Sequence, residues 1–166
     1  MMRLWTMILV ILSGLLLPTP SALAQSDSCD GGHDAFDAEN YAEAVTAFTV
    51  CIQADPKYAA NYSYRGEALL YLEEFDEALE DYDFGIALNP TSRWQYDQRG
   101  RAYLYLRDYE LAIEDFTTAI SIDSTYALAY HDRGRAYYEL DELQNAIDDY
   151  TVALNLKPDD AIAYYN

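Results

Sequence analysis

The sequence predicts an all-α fold, a solenoid of antiparallel helix pairs, and three observations predict it. Gly32, Gly66, Gly100 and Gly134 stand 34 residues apart each time. In the same register recur an alanine (Ala44, Ala78, Ala112, Ala146), an aromatic (Phe48, Tyr82, Phe116, Tyr150) and a small residue (Cys51, Gly85, Ala119, Ala153). Within each period, apolar residues return at three- and four-residue spacing in two successive stretches, as they do on one face of a helix. A fixed period of this length is the mark of a repeat architecture, in which each unit buries its apolar face against its neighbours.

Before the first copy lies a different kind of segment. Arg3 is the only charge in the first 24 residues, and Leu4 to Leu17 is apolar apart from Thr6, Ser13 and Gly14. Pro18 and Pro20 follow, then the small-x-small triplet Ala22-Leu23-Ala24. This is the layout of a secretory signal peptide at residues 1–24, with cleavage expected between Ala24 and Gln25 and a secreted or periplasmic destination. The alternative is a membrane anchor, but 14 apolar residues span about 21 Å against a hydrocarbon core of roughly 30 Å. Later in the chain no apolar run is long enough to span a bilayer. Cys29 follows Ser26-Asp27-Ser28, not the small apolar residues that precede a lipid-modified cysteine.

The rest of the chain divides at the period: 25–58, 59–92, 93–126 and 127–160, with 161–166 opening a fifth copy. The second copy reads as helices over 60–72 and 75–88, the glycine allowing close crossing and the aromatic filling the gap to the next hairpin. Pro56, Pro90 and Pro158 sit where one hairpin ends and the next begins, since proline is tolerated only in a first helical turn. The links Leu72-Glu-Glu-Phe75 and Leu106-Arg-Asp-Tyr109 are short enough to make each pair antiparallel.

These residues resemble the tetratricopeptide repeat family, whose pattern is W-x-x-L-G-x-x-Y, then A-x-x-x-F, A and P. The resemblance covers residues 25–166 and implies a right-handed superhelical solenoid of four repeats plus the start of a fifth. Tyr62, Tyr96 and Tyr130 stand at the family's tryptophan site, and Arg65, Arg99 and Arg133 at its leucine site. The first copy departs furthest, with Ser28 and Gly31 there, as suits a terminal repeat. The fifth copy stops after Tyr164 and Asn166, just before its arginine–glycine pair, so the chain is expected to be part of a longer array. Otherwise the fourth repeat keeps an open face that favours a homo-oligomer.

Cys29 and Cys51 are the only cysteines. An antiparallel hairpin sets the start of its first helix beside the end of its second, within the Cα separation a bridge requires. An exported chain with an even cysteine count favours a disulfide, which would close a loop of about 20 residues and stabilise by roughly 3 kcal/mol. Two independent buried thiols are the other reading.

Charge and motifs exclude several functions. The formal net charge is −19, a field that repels nucleic acid and anionic lipid and otherwise keeps the chain soluble. His33 and His131 are far apart and have no thiol at metal-ligand spacing. Each repeated glycine is alone inside a helix, so there is no phosphate loop. Adjacent acids such as Glu73-Glu74 and Asp148-Asp149 diverge on a helix and make no acid–base pair. Neither an enzyme nor a bound metal or cofactor is expected.

What remains is binding. The family resemblance implies that the first helix of each hairpin lines a concave groove for a protein or peptide. By register that groove holds Tyr64, Glu67 and Tyr71; Trp94, Asp97, Gln98, Arg101 and Tyr105; and Leu128, His131, Asp132, Arg135, Tyr138 and Glu139. Arg101 and Arg135 either receive a carboxylate from a partner or pair with Asp97, Asp132 or Glu139. Arg65, Arg99 and Arg133 track with Asp81, Asp115 and Asp149 and are expected to form a structural ion-pair ladder. The chaperone-binding members clamp a terminal carboxylate with lysine and asparagine, whereas Cys29, His33, Tyr64, Trp94 and Gln98 occupy those sites, so that specificity does not carry over. The leading expectation is a non-catalytic extracytoplasmic adaptor. A self-associating spacer, or the repeat portion of a larger enzyme, are the alternatives.

Overall fold

A computed structural model describes residues 20–157, with side chains from Cys29 onward. Most of the expected signal peptide and the partial fifth copy, with its bearing on a longer array, lie outside the described residues. Eight helices run in order: α1 (Pro20–Asp37), α2 (Tyr41–Ala54), α3 (Ala59–Tyr71), α4 (Phe75–Leu88), α5 (Arg93–Leu106), α6 (Tyr109–Ile122), α7 (Ala127–Glu139) and α8 (Leu143–Leu156). There is no strand among the described residues. The chain is an all-helical superhelical solenoid. Each odd helix packs on the even helix after it, and each even helix on the odd helix that follows. The odd helices also meet one another, α3 with α5 and α5 with α7, which puts them on the inner side of the curve.

Glycine governs the spacing inside each hairpin. A Cβ at Gly100 would lie 2.8 Å from Phe116 Cε1, and one at Gly32 would lie 2.9 Å from Phe48 Cε1. The aromatic ring therefore rests on the glycine of its own hairpin, where the sequence alone placed it in the gap to the next. It serves both contacts, since Phe48 also stacks on Tyr64 of the second hairpin at 5.5 Å. Phe48, Tyr82 and Phe116 are fully buried with Ala44, Ala78 and Ala112 beneath them.

The turns repeat as faithfully as the core. Glu39, Glu73, Arg107 and Asp141, 34 residues apart, all adopt left-handed backbone with φ of 60 to 65°. Each is followed by the paired hydrogen bonds of a Schellman cap, for example Glu73 N to Leu70 O at 3.1 Å and Glu74 N to Leu69 O at 3.0 Å. Between hairpins, the side chains of Asp55, Asn89 and Asp123 accept from the backbone N–H two residues on, each forming an Asx turn. Pro56 and Pro90 lie in these turns, and their carbonyls accept from the hydroxyls of Tyr62 and Tyr96.

The arginine–aspartate ladder is present. Arg65, Arg99 and Arg133 each grip the aspartate sixteen residues on through Nε and Nη2, at 2.6 to 2.8 Å. The third nitrogen, Nη1, reaches back to the preceding hairpin: Thr49 for Arg65, Asp83 for Arg99 and Thr117 for Arg133. Arg99 and Arg133 also lie over Tyr96 and Tyr130 at 5.8 and 5.6 Å, so the two departures from the family pattern work together. Burial pushes the Asp81 and Asp115 carboxyls up, while their guanidinium partners pull them down. The same hydrogen bonds raise Arg65 and Arg99. In the first hairpin Gly31 and Ala47 occupy the two sites, so both members of the pair are missing together.

That hairpin is tied differently. Cys29 and Cys51 form a disulfide with their Cα atoms 5.8 Å apart, joining the first helix to the second.

The ladder gives a measurable expectation. Asp115 is only 4% exposed, so Arg99→Met leaves a buried carboxylate without its partner and should cost about 3 kcal/mol. Arg99→Met with Asp115→Leu should recover most of that loss, as read from urea unfolding of the single and double variants.

Candidate functional site

The inner face has two chemically different halves. Toward the N-terminus it is aromatic: His33 meets Tyr64 edge-on at 4.4 Å, and Tyr64 lies 5.5 Å from Trp94 in a tilted arrangement. Tyr64 and Trp94 are both half-buried, so their packed edges are held while their free edges remain open. These rings come from α1, α3 and α5, and the 34-residue register stacks them along the curve.

Toward the C-terminus the face is charged and concave. Asp97, Arg101 and Tyr105 of α5 and Leu128, His131, Asp132 and Arg135 of α7 line a cavity of about 330 Å³. Neither Arg101 nor Arg135 comes within 4.0 Å of a carboxylate among the described residues. The pairing of these arginines with Asp97, Asp132 or Glu139 that the sequence left open is thus not made. Arg101 instead donates to Gln98 Oε1 at 3.3 Å, and Glu139 accepts from Tyr109. His131 Nδ1 lies 2.8 Å from Asp132 Oδ1.

Other expected groove residues are placed differently. Gln98 is 4% exposed, so it supports Arg101 from below the surface and does not itself line the groove. Tyr71 stacks flat on Tyr41 at 4.6 Å, and Tyr105 on Phe75 at 5.9 Å. Both rings are about half exposed while bridging neighbouring hairpins at equivalent positions. Tyr138 is the most exposed of the set at 60% and stands outside the cavity lining. Glu67 is partly withdrawn from water, which raises its carboxyl, with Arg101 opposing.

Asp97 is the residue whose character the sequence did not reveal. It is 2% exposed. Its Oδ2 accepts from the Tyr126 hydroxyl at 3.1 Å, but Oδ1 is buried with no hydrogen-bond partner in the protein. Burial raises its carboxyl to about 7, Asp132 adding to the rise and Arg101 opposing it. A signal was available. Cys29, Ser63, Asp97 and His131 are one register column, and it faces the small-residue column of Cys51, Gly85, Ala119 and Ala153. The disulfide joins the two columns in the first hairpin. In the second, Ser63 Oγ would lie 3.1 Å from a Cβ at Gly85 and accepts from Gln95. No cluster of histidine, cysteine and acidic side chains suited to a metal ion occurs among the described residues.

Two family models match this chain, one described as tetratricopeptide repeat over residues 29–93 and one as TPR repeat over 100–141 and 134–166. The chain belongs to the tetratricopeptide repeat family. Solved structures agree. MamA is 23% identical, with 83% of this chain and 81% of that chain covered and a TM-score of 0.76, a likeness of fold. The first tetratricopeptide repeat domain of Spaghetti (RPAP3), solved bound to the HSP90 peptide SRMEEVD, is 28% identical over 67% of this chain and 88% of that one, with a TM-score of 0.63. The TPR2B domain of yeast Sti1, in a complex with pHsp70, is 25% identical over 81% and 99%, with a TM-score of 0.60. No curated protein sequence matches this chain.

The raised Asp97 carboxyl links stability to pH. Between its unfolded value near 3.8 and its folded value of about 7, the native state holds the extra proton. Stability therefore falls as pH rises through that window, by up to about 4 kcal/mol. Asp97→Asn, which keeps an acceptor for Tyr126, should be more stable than the parent at pH 8. The difference between the two unfolding curves should shrink as pH is lowered toward 4.

Proposed function

We propose that this chain is a non-catalytic extracytoplasmic adaptor that binds a protein or peptide along its inner face. One observation carries the reading: a continuous row of half-buried aromatic rings on α1, α3 and α5 runs into a cavity holding two arginines without carboxylate partners. Aromatics and arginines are the side chains that most often anchor protein interfaces. The repeat-domain relatives solved with HSP90 and pHsp70 partners support peptide recognition by this fold. The lysine and asparagine clamp expected of chaperone binders has no counterpart here, so the partner is of another kind.

Export is part of the proposal. Helices α3 and α7 each have 13 residues and begin at the first residue of their repeats, whereas α1 begins at Pro20, five residues ahead of its repeat. Cleavage between Ala24 and Gln25 would leave residues 25–37, a first helix of the same length and register as α3. Edman sequencing of protein recovered from the extracytoplasmic fraction should begin Gln-Ser-Asp-Ser. A chain that retains Met1 there would overturn the export reading.

The groove is tested by peptide display against the purified chain beginning at Gln25, in which Trp94 is the sole tryptophan and reports binding by its fluorescence. Selected peptides should lose at least tenfold in affinity when Tyr64 and Arg101 are changed to alanine. Circular dichroism should show the helices intact. Peptides that bind both proteins equally would place recognition elsewhere.

A further inference from the structure

The charged half of the groove carries an inference that rests on the groove reading and names what it recognises. Four charged side chains line the cavity between α5 and α7: Asp97, Arg101, Asp132 and Arg135. Their charges cancel, yet no acid and base among them join in an ion pair within 4.0 Å. Asp97 is almost wholly buried, and its Oδ1 is an acceptor with no donor from the protein. Burying an acceptor without a donor is costly, and so is keeping two guanidiniums near carboxylates without forming the bond. An anionic ligand alone would meet Asp97, and a cationic ligand alone would meet the arginines. A ligand bearing both signs satisfies all four groups.

We propose that this cavity is a subsite for an ammonium–carboxylate pair, the ammonium donating to Asp97 Oδ1 beside Asp132 and the carboxylate accepting from Arg101 and Arg135. Tyr105 and Leu128 supply apolar walls for the carbon chains between the two charges. A cavity of about 330 Å³ has room for the ends of two side chains or for one small zwitterion, so the same chemistry has two sources. A peptide brings it as neighbouring lysine and glutamate side chains. A short free peptide brings it as its own two termini. The aromatic half of the groove then takes the rest of an extended peptide.

Isothermal titration on the chain beginning at Gln25 separates the sources and tests the subsite. The probes are end-capped peptides of six residues holding lysine and glutamate at spacings of one to three, the same peptides with acetyl-lysine or with glutamine for glutamate, and uncapped diglycine. At least one charged probe should bind. Among the capped peptides, removing either charge should weaken binding about tenfold; diglycine binding alone would assign the subsite to chain termini. Asp97→Asn should erase the preference for lysine over acetyl-lysine, and Arg135→Gln, at an exposed position, should erase the preference for glutamate over glutamine. The lysine preference should also grow from pH 6 to pH 8, as Asp97 acquires its charge. Equal binding of charged and neutralised probes, or preferences unchanged in both variants, would overturn the subsite. So would failure of every probe to bind. If display-selected peptides still depend on Tyr64 in that case, the groove reading stands without the subsite.

Discussion

The solenoid depends on one contact, an aromatic ring laid on a glycine. Where a Cβ would project, Phe48, Phe116 and their equivalents put an aromatic edge, and that edge sets how closely the two helices of a hairpin approach. The approach distance then decides what else can be built. It brings Arg99 within reach of Asp115 across the hairpin, and it lets Cys29 and Cys51 meet in the first hairpin with no arginine present. Because the spacing is the same in every copy, the odd helices fall into line and form one continuous inner face. The groove is a product of close packing that lies entirely outside it.

Much of this was legible because a repeat reports each structural rule several times. Gly66 alone would be an unexplained helical glycine; Gly32, Gly66, Gly100 and Gly134 in one register, with aromatics in step, define a packing site. The same logic identified the arginine–aspartate pairs, whose two members recur and vanish together. It was weaker wherever copies differ, and the groove is where they differ. Gln98 and Arg101 share a helix and a polar character, yet one is buried and the other reaches the cavity. Which is which depends on the pitch of α5 against α7. Tyr71 and Tyr105 read as free anchors because their partners, Tyr41 and Phe75, lie in the preceding hairpin. The buried oxygen of Asp97 left no trace in the periodicity, since its column holds a different residue in every copy.

That column shows how the fold separates structure from specificity. Cys29, Ser63, Asp97 and His131 occupy geometrically equivalent places opposite small residues. One forms a covalent tie, one a buried hydrogen bond to Gln95, one holds an unsatisfied carboxylate oxygen, and one packs its ring near Tyr150 at 5.6 Å. Small neighbours on the second helix leave room for chemistry of any kind, and the glycine–aromatic contact keeps the backbone indifferent to the choice. Aromatic and ionic halves can therefore coexist on a face whose scaffold hardly varies.

The backward reach of the ladder arginines has a consequence for how the molecule comes apart. Each guanidinium ties its own hairpin to the one before it, through Thr49, Asp83 or Thr117, and the first hairpin is closed covalently. In a linear array whose units depend mainly on their neighbours, the last described hairpin can detach while every earlier arginine keeps all its partners. Loss of the first would strip Arg65 of its anchor in a hairpin that must also open with its disulfide intact. Disassembly is thus polar, peeling from α8 toward α1, and the aromatic half of the groove outlasts the ionic half.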